Sequence, residues 1–455
     1  MNSARRKLFG TDGVRGIANA HPMTAEVALA LGQAVAHIFR RGGERNHRIL
    51  IGKDTRLSGY MFEDALAAGI SSMGVDVLHV GPMPTPAIAF LTRDMRCDAG
   101  VMITASHNPY QDNGIKFFGR DGFKLADEIE LEIEELVESG RLSELRADAD
   151  AVGQATRIDD AAGRYIVFLK NTFPPDLTLD GLRIVLDCAN GAAYKVGPTV
   201  MRELGAELFA LGVEPTGRNI NEGCGSMHPE GVSRLVQKVN ADVGIAVDGD
   251  ADRLMVVDEN GQVIDGDFLI ALCARYLAKN GQLKGGGVVT TVMSNLGLEE
   301  SLKAIDLELV RTQVGDRYVV EAMRKGGFNL GGEQSGHVIF LDHGTTGDGL
   351  MTALQLLAIM AKEGVSLSTL TADFKRYPQV LVNVEVPEKK DLETLPELQA
   401  AVAKVEGMLA GKGRVLIRYS GTELKARVMV EGEDEGHVLE LANSLAGALT
   451  NSLAD

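Results

Sequence analysis

Three times along this chain an apolar run delivers a cluster of polar residues to a strand end. Gly100–Ala105 leads to Ser106-His107-Asn108-Pro109, and Ala241–Val247 leads to Asp248-Gly-Asp250-Ala-Asp252. Phe328-Asn-Leu330 runs into Gly331-Gly-Glu333-Gln-Ser335-Gly-His337. Around these runs strands and helices alternate. Thr24 reads as the cap of a helix with Val27, Leu31, Val35 and Ile38 on one face. Arg48–Gly52 and Val75–Val80 read as strands, as do Leu182–Leu186 and Gly287–Val292. An acidic helix from Asp127 to Ser139 stops at Gly140. This alternation predicts doubly wound α/β units with a largely parallel core. In such sheets ligands bind beyond the carboxyl ends of the strands, where all three clusters lie.

The tail has another pattern. Val382–Val386, Arg414–Arg418 and Lys425–Val430 read as strands. Thr394–Leu409 reads as a helix with Thr394 at its N-cap and Pro396 in its first turn. Gly436–Leu449 reads as a second helix. The expected architecture is three similar doubly wound α/β domains around a cleft, plus a smaller C-terminal α+β domain beyond a hinge near Arg376-Tyr377-Pro378. Linkers near Ala147–Gln154 and Asp258–Gly266 set the expected boundaries at residues 1–153, 154–258, 259–374 and 375–455.

Composition narrows the function classes. The 455 residues are 45% hydrophobic and 24% charged, which suits a folded chain with a sizeable core. A net charge of −17 argues against nucleic acid, whose binding is led by Lys and Arg at phosphates. Small phosphate ligands need only local cations. The four cysteines form no C-x-x-C pair and no zinc spacing, so buried free thiols of a reducing cytosol are expected. The N-terminus lacks the apolar stretch of a secretory signal, and no run approaches the ~18 apolar residues of a membrane span. A cytoplasmic location without membrane contact is the expectation.

The clusters carry the chemistry. Ser106, held at a strand end, suits a nucleophile or a phosphate carrier. Asp248, Asp250 and Asp252, two residues apart in turn, converge on one hard cation if the backbone wraps it, and oxygen ligands suit Mg²⁺. An isolated acidic turn would repel itself without a counter-ion. A calcium EF-hand loop fails, because Arg253 stands where that loop needs glycine and strands flank the segment. Asp-x-Asp after an apolar strand also suits a phosphatase with Asp248 as nucleophile, and that rival stays open here. Glu333 and Ser335 are spaced to hydrogen-bond vicinal sugar hydroxyls. Arg418, Ser420, Gly421 and Thr422, with Arg427 following, form an anion nest. Three glycines within Gly10–Gly16 leave Arg15 on a tight loop able to reach a phosphate. Lys116, ten residues beyond Ser106, is a candidate acid, base or charge stabiliser. His107 reads equally as a donor to a phosphoserine or as a structural partner at the strand end. Arg56 reads as an ion-pair residue, and Asp316 and Arg317 as edge residues of a cleft.

Taken together these residues resemble the α-D-phosphohexomutase family, over essentially the whole chain and in the family's motif order. Ser106-His-Asn-Pro109 looks like its phosphoserine loop, and Asp248, Asp250 and Asp252 look like its metal loop. Glu333-x-Ser335-Gly-His337 looks like its sugar loop, and Arg418-x-Ser420-Gly421-Thr422 like its phosphate loop. Phe9-Gly-Thr-Asp-Gly-Val-Arg15-Gly, the stretch Thr104–Phe118 and Gln334 look most like the branch that works on hexosamine phosphates. The relatives that handle mannose and glucose phosphates tend to carry Met where this chain has Gln334. Tyr419 and Leu424 depart from the prolines usual in the family's phosphate loop.

The resemblance implies an isomerase that interconverts a hexosamine 6-phosphate and its 1-phosphate. It implies a phosphate carried covalently on Ser106, and one Mg²⁺ per chain held by Asp248, Asp250, Asp252 and an oxygen at Ser106. A 1,6-bisphosphate intermediate would turn in the cleft and return its other phosphate to Ser106. Glu333, Ser335 and His337 would hold the sugar. Arg418, Ser420, Gly421, Thr422 and Arg427 would hold the distal phosphate. Lys116 and Arg15, with His107 beside them, would serve proton transfer and charge support. A homodimer is the expectation at the level of the family.

Overall fold

In a computed structural model, residues 8–10, 12–40, 46–419 and 424–454 are described. The first sheet holds β1 (Val14–Ile17), β2 (Arg48–Lys53), β3 (Asp76–Pro82), β4 (Ala99–Ile103), β5 (Asp112–Gly119) and β6 (Ala155–Arg157). Their order is β1-β5-β4-β2-β3-β6. The centre is parallel, β4-β2-β3-β6, as the alternation predicts. The β4-β5-β1 edge is antiparallel, which the periodicity did not reveal.

Side-chain alternation explains why this sheet is covered twice. Ile49, Ile51, Val101 and Ile103 pack in one cluster with Leu31, Val35, Phe62 and Leu66 of the helices Ala25–Phe39 and Ser58–Ser72. On the other face Gly52 and Gly100 let Ile88 and Thr92 of the helix Thr85–Asp94 come close. Strand β2 is therefore buried on both faces, the pattern of a central parallel strand. Thr24 caps the first helix by accepting from Val27 N–H, as the sequence predicts.

The second sheet comprises β7 (Arg183–Asp187), β8 (Glu207–Leu211), β9 (Val243–Val247), β10 (Leu254–Asp258) and β11 (Val263–Ile264), in the order β11-β10-β9-β7-β8. Residues 258–264, expected as linker, turn back as a hairpin between β10 and β11. The third sheet comprises β12 (Gly287–Thr291), β13 (Glu308–Thr312), β14 (Leu330–Gly332) and β15 (Val338–Phe340), in the order β13-β12-β14-β15. Val319 and Met323 of the helix Asp316–Gly326 pack on Val289 and Ile339 of this sheet.

The chain divides into two compact units, Met1–Val292 with Leu309–Ala372, and Met293–Glu308 with Asp373–Asp455. In the second unit β16 (Gln379–Glu385), β17 (Arg414–Tyr419) and β18 (Lys425–Glu431) pair antiparallel in the order β16-β18-β17. Leu398, Val405 and Leu409 of the helix Pro396–Leu409 share a core with Val428, Val430, Leu441 and Leu445. Thr394 is not the N-cap expected from sequence. It ends a short 3-10 turn, its hydroxyl donates to Asp391 O at 2.6 Å, and Leu395 occupies the cap. The helix Leu296–Lys303 joins this unit because Asn295 bonds the backbone of Tyr377 through both its amide atoms, at 2.9 and 3.0 Å.

Cys97, Cys188 and Cys273 are buried free thiols, and Cys224 is partly exposed. Burial pushes the Cys97 thiol up to about 12 and that of Cys224 up to about 11, which leaves both weak nucleophiles.

One buried contact ties the first unit together and gives a pH test. Asp348 caps the helix Gly349–Glu363 by accepting from Met351 N–H, and Tyr165 OH donates to its other oxygen at 2.7 Å. Burial raises the Asp348 carboxyl to about 6, against the opposing pull of those hydrogen bonds. Its folded pKa lies above the unfolded value, so its stabilising effect is full below about pH 4 and fades as pH rises through about 6. Asp348→Asn keeps a capping oxygen and never ionises. Wild type should therefore lose roughly 3 kcal/mol relative to Asp348→Asn between pH 4 and 7. Paired melting curves across that range check it; a difference that stays constant with pH, or that moves in favour of wild type as pH rises, contradicts it.

Candidate active site

Strand β4 ends at Ile103, and Ser106 follows two residues later in the left-handed region, with φ of 52°. Thr104 Oγ1 accepts the Ser106 N–H at 2.9 Å and holds the turn. The Ser106 hydroxyl is buried and donates to Asp248 Oδ2 at 2.6 Å. Serine and aspartate lie 142 residues apart in sequence and come from different sheets.

The three aspartates converge as their spacing predicts. Each offers an oxygen, and these atoms lie within 4.8 Å of one another. Each aspartate is also anchored from outside the cluster. Asp248 accepts from Ser106 and from Arg253 N–H. Asp250 Oδ2 accepts from Thr85 Oγ1 at 2.6 Å and from Lys116 Nζ at 3.0 Å. Asp252 Oδ2 lies 3.7 Å from Lys116 Nζ and 3.6 Å from His337 Nδ1. The opposite oxygens, Asp250 Oδ1 and Asp252 Oδ1, are buried and accept no hydrogen bond among the described residues.

Charge follows from this arrangement. Burial, then the neighbouring Asp250 and Asp252, raises the Asp248 carboxyl well above the usual range. Burial acts the same way on Asp252, but Lys116 and His337 outweigh it and hold that carboxyl low. Two buried carboxylate oxygens without hydrogen bonds among the described residues, beside a third acid pushed toward neutrality, fit a divalent cation. The all-oxygen donor set matches Mg²⁺.

A ring of polar contacts closes around the cluster. Asp12 Oδ2 lies 3.1 Å from Lys116 Nζ. His337 Nε2 lies 3.5 Å from Asp316 Oδ2, and Lys124 Nζ sits 2.6 Å from the same Asp316 oxygen while also bonding Asp12. Burial would strip the proton from Lys116, but Asp12, Asp250 and Asp252 raise its pKa instead. Burial likewise opposes charge on His337, and Asp252 and Asp316 outweigh it. Gly347 N–H donates to His337 Nε2 at 3.0 Å, which assigns the proton of the neutral ring to Nδ1, facing Asp252. A Cβ at Gly347 would fall 2.6 Å from that imidazole.

The remaining sequence candidates are placed as follows. Arg15 pairs with Asp12, which bonds Lys116 and Lys124 in turn. His107 Nδ1 is 3.3 Å from Ser106 Oγ and 3.4 Å from Arg253 Nη1. Burial, aided by Arg253 and Arg15, pushes His107 down to about 4, so the ring is neutral near pH 7. Because a guanidinium only donates, Nδ1 faces it as an acceptor. Glu333 Oε1 accepts from Gly315 N–H at 3.2 Å, and Ser335 Oγ lies 3.4 Å from Glu333 Oε2. Gly336 O accepts from Leu254 N–H at 3.2 Å, which seats this loop beside the aspartates. Arg317 pairs with Asp127 and Glu130 at the start of the acidic helix.

In the second unit Arg418 and Arg427 are direct cross-strand partners. Burial and then Arg427 lower the Arg418 pKa. Tyr419 OH donates to Lys390 O at 2.7 Å, a tether where the family usually has proline. Ser420, Gly421 and Thr422 lie outside the described residues.

Sequence reasoning missed Asp12, Thr85, Lys124 and Arg253. Arg253 directly follows Asp252 and could have been found by its position. Thr85 carries no local signal, since only the fold brings the first turn of the helix Thr85–Asp94 against Asp250 through both its hydroxyl and its N–H. Thr85→Val should weaken Mn²⁺ binding by the unphosphorylated protein about tenfold, because Asp250, a ligand in the expected metal site, loses a donor. An electron paramagnetic resonance titration checks this, and unchanged affinity contradicts it.

Comparison with known proteins agrees with this geometry. The chain matches the phosphoglucomutase/phosphomannomutase α/β/α domains I, II and III at residues 6–144, 164–261 and 265–377, and the family's C-terminal domain at 381–448. It is 60% identical over 449 residues to a phosphoglucosamine mutase of Syntrophotalea carbinolica, covering 99% of this chain and 98% of that one. It is 59% identical to a phosphoglucosamine mutase of Pelobacter propionicus, covering 99% of each. Among solved structures, a phosphoglucomutase/phosphomannomutase family protein of Burkholderia thailandensis superposes with a TM-score of 0.80 at 25% identity, covering 97% of each chain. With all four domains present in order over nearly its whole length, the chain belongs to the phosphoglucomutase/phosphomannomutase family.

Proposed function

We propose that this protein interconverts glucosamine 6-phosphate and glucosamine 1-phosphate, with Ser106 as the phosphate carrier. The observation that carries this reading is the Ser106 hydroxyl, 2.6 Å from Asp248 in a pocket of three buried carboxylates. Its substrate follows from relatives at about 60% identity that are named phosphoglucosamine mutase. The 1-phosphate product would feed UDP-N-acetylglucosamine synthesis. Buried free thiols accord with a cytoplasmic enzyme, and a homodimer remains the family-level expectation.

In the forward direction phosphoserine 106 loses its phosphoryl group to a hydroxyl of glucosamine 6-phosphate. The serine O–P bond breaks, a bond from phosphorus to the sugar's 1-oxygen forms, and the proton of that hydroxyl ends on the freed Ser106 oxygen. The 1,6-bisphosphate turns over, and its 6-phosphoryl group returns to Ser106. Asp248, Asp250 and Asp252, with an oxygen at Ser106, would hold Mg²⁺. That ion, when bound, offsets phosphoryl charge during transfer. Lys116, held among Asp12, Asp250 and Asp252, places an ammonium beside the reacting group. Neutral His107 and Arg15 line the same pocket. Glu333 and Ser335 offer acceptors and a donor for sugar hydroxyls in either orientation. Arg418 and Arg427, with Ser420, Gly421 and Thr422, would hold whichever phosphate is distal.

Ser106→Ala should abolish interconversion while leaving the melting temperature nearly unchanged. A coupled assay comparing glucosamine, glucose and mannose 1-phosphates should show the highest kcat/KM for glucosamine. Full turnover by Ser106→Ala contradicts the carrier role. A preference for mannose or glucose moves the chain to the phosphomannomutase/phosphoglucomutase alternative. Stoichiometric inorganic phosphate would favour a phosphatase acting through Asp248.

A further inference from the structure

The backbone of the reactive loop is gripped from behind by two side chains that the reaction itself does not use. The carbonyl oxygens of Ser106 and Asn108 share the same two donors. Arg56 Nη2 donates to Ser106 O at 3.2 Å and also to Asn108 O. Asn221 Nδ2 donates to the same two oxygens, at 2.9 and 3.0 Å. Each carbonyl therefore has both lone pairs engaged, once from the first sheet's segment and once from the second's.

Both clamps are rigid. Arg56 is fully buried, and its other arm is locked on Asp54, which also accepts the Arg56 N–H at 2.8 Å. Both terminal nitrogens of the guanidinium are engaged, while Nε has no hydrogen-bond partner among the described residues. Asn221 sits in the left-handed region with φ of 58°, and its own N–H donates to Ala189 O at 2.9 Å. The fit leaves no slack toward the metal loop. A Cβ at Gly249, between Asp248 and Asp250, would fall 2.6 Å from Ser106 O and 2.8 Å from Asn221 Nδ2.

This matters because Ser106 Oγ changes charge twice in every cycle. A phosphoryl group adds nearly two negative charges, and its departure removes them. A left-handed serine with unrestrained carbonyls would relax as those charges come and go. Misplacing a reacting atom by about 1 Å costs on the order of 100-fold in rate.

We propose that Asn221, with Arg56 opposite it, is a positioning residue that keeps the Ser106 oxygen aimed identically in its free and phosphorylated states. The assignment rests on the mutase reading above. Asn221 joins the phosphoserine loop to the segment that carries the metal loop, so the two halves of the reactive centre move as one body.

Rapid-quench transfer from phosphorylated enzyme to glucosamine 6-phosphate tests it, with Asn221→Ala and Arg56→Lys beside wild type. Arg56→Lys keeps the charge and loses the forked pair of donors, and it serves if the first variant folds poorly. The expected result is a fall in the transfer rate of about 10- to 100-fold per phosphorylated enzyme. KM for the sugar phosphate should stay within about twofold, with Ser106 still phosphorylated stoichiometrically by mass spectrometry. Transfer within about twofold of wild type in both variants overturns the assignment. So does a loss that appears in KM, or failure of both variants to fold, since either makes the contacts a matter of binding or of stability. If wild-type phosphoenzyme passes nothing to the sugar, the mutase reading itself falls.

Discussion

Three carboxylates buried within reach of a single ion cannot all stay charged without a cation among them, and the first unit is arranged around that constraint. The fold answers it in part with its own groups. The hydroxyl of Ser106 takes Asp248, the start of the helix Thr85–Asp94 takes Asp250, and His337 faces Asp252. Lys116 stands between Asp250 and Asp252. What these leave over are Asp250 Oδ1 and Asp252 Oδ1, buried and without a hydrogen bond among the described residues. Under the proposed mutase reading, a Ser106 oxygen that already touches Asp248 would share that ion when it carries phosphate.

The same constraint explains how three separate sheets meet. Asp12, Lys116 and Lys124 come from the first sheet's segment, Asp252 from the second and His337 and Asp316 from the third. Their contacts form a closed circuit in which acid and base alternate. Removing one member would leave a buried charge without its partner, which is far more costly than losing an exposed ion pair. The circuit joins the domains through polar geometry at the strand ends, while each sheet keeps its own apolar core. Arg56 and Asn221 extend the same principle to the backbone behind Ser106.

Much of this was legible in sequence because it is local. The strand-to-loop transitions at Ser106, Asp248 and Glu333 stand in contiguous residues, and so do the apolar periods that predict the parallel centres. The Thr24 cap needs only its own turn. What escaped is tertiary. Nothing near Thr85 or Asn221 announces that each faces a loop more than a hundred residues away. Asp12 and Lys124 look like ordinary surface charges until the fold pairs them, both half-buried, with each other. The antiparallel edge β4-β5-β1 escaped because a strand buried on both faces reads alike in either direction. Thr394 misses the cap because it closes the 3-10 turn Leu392–Thr394, one residue before Leu395 takes the extended cap conformation. Arg56 was read as an ion-pair residue, and it is one, but its second arm reaches the reactive loop.

The central claim is that phosphate passes through Ser106. Unlabelled phosphoenzyme mixed for a single turnover with glucosamine 6-phosphate bearing ¹⁸O in its phosphate tests this directly. The account predicts glucosamine 1-phosphate without the label, and the ¹⁸O phosphate on Ser106 by mass spectrometry of the peptide. Label retained in the 1-phosphate product, with none on Ser106, would contradict it.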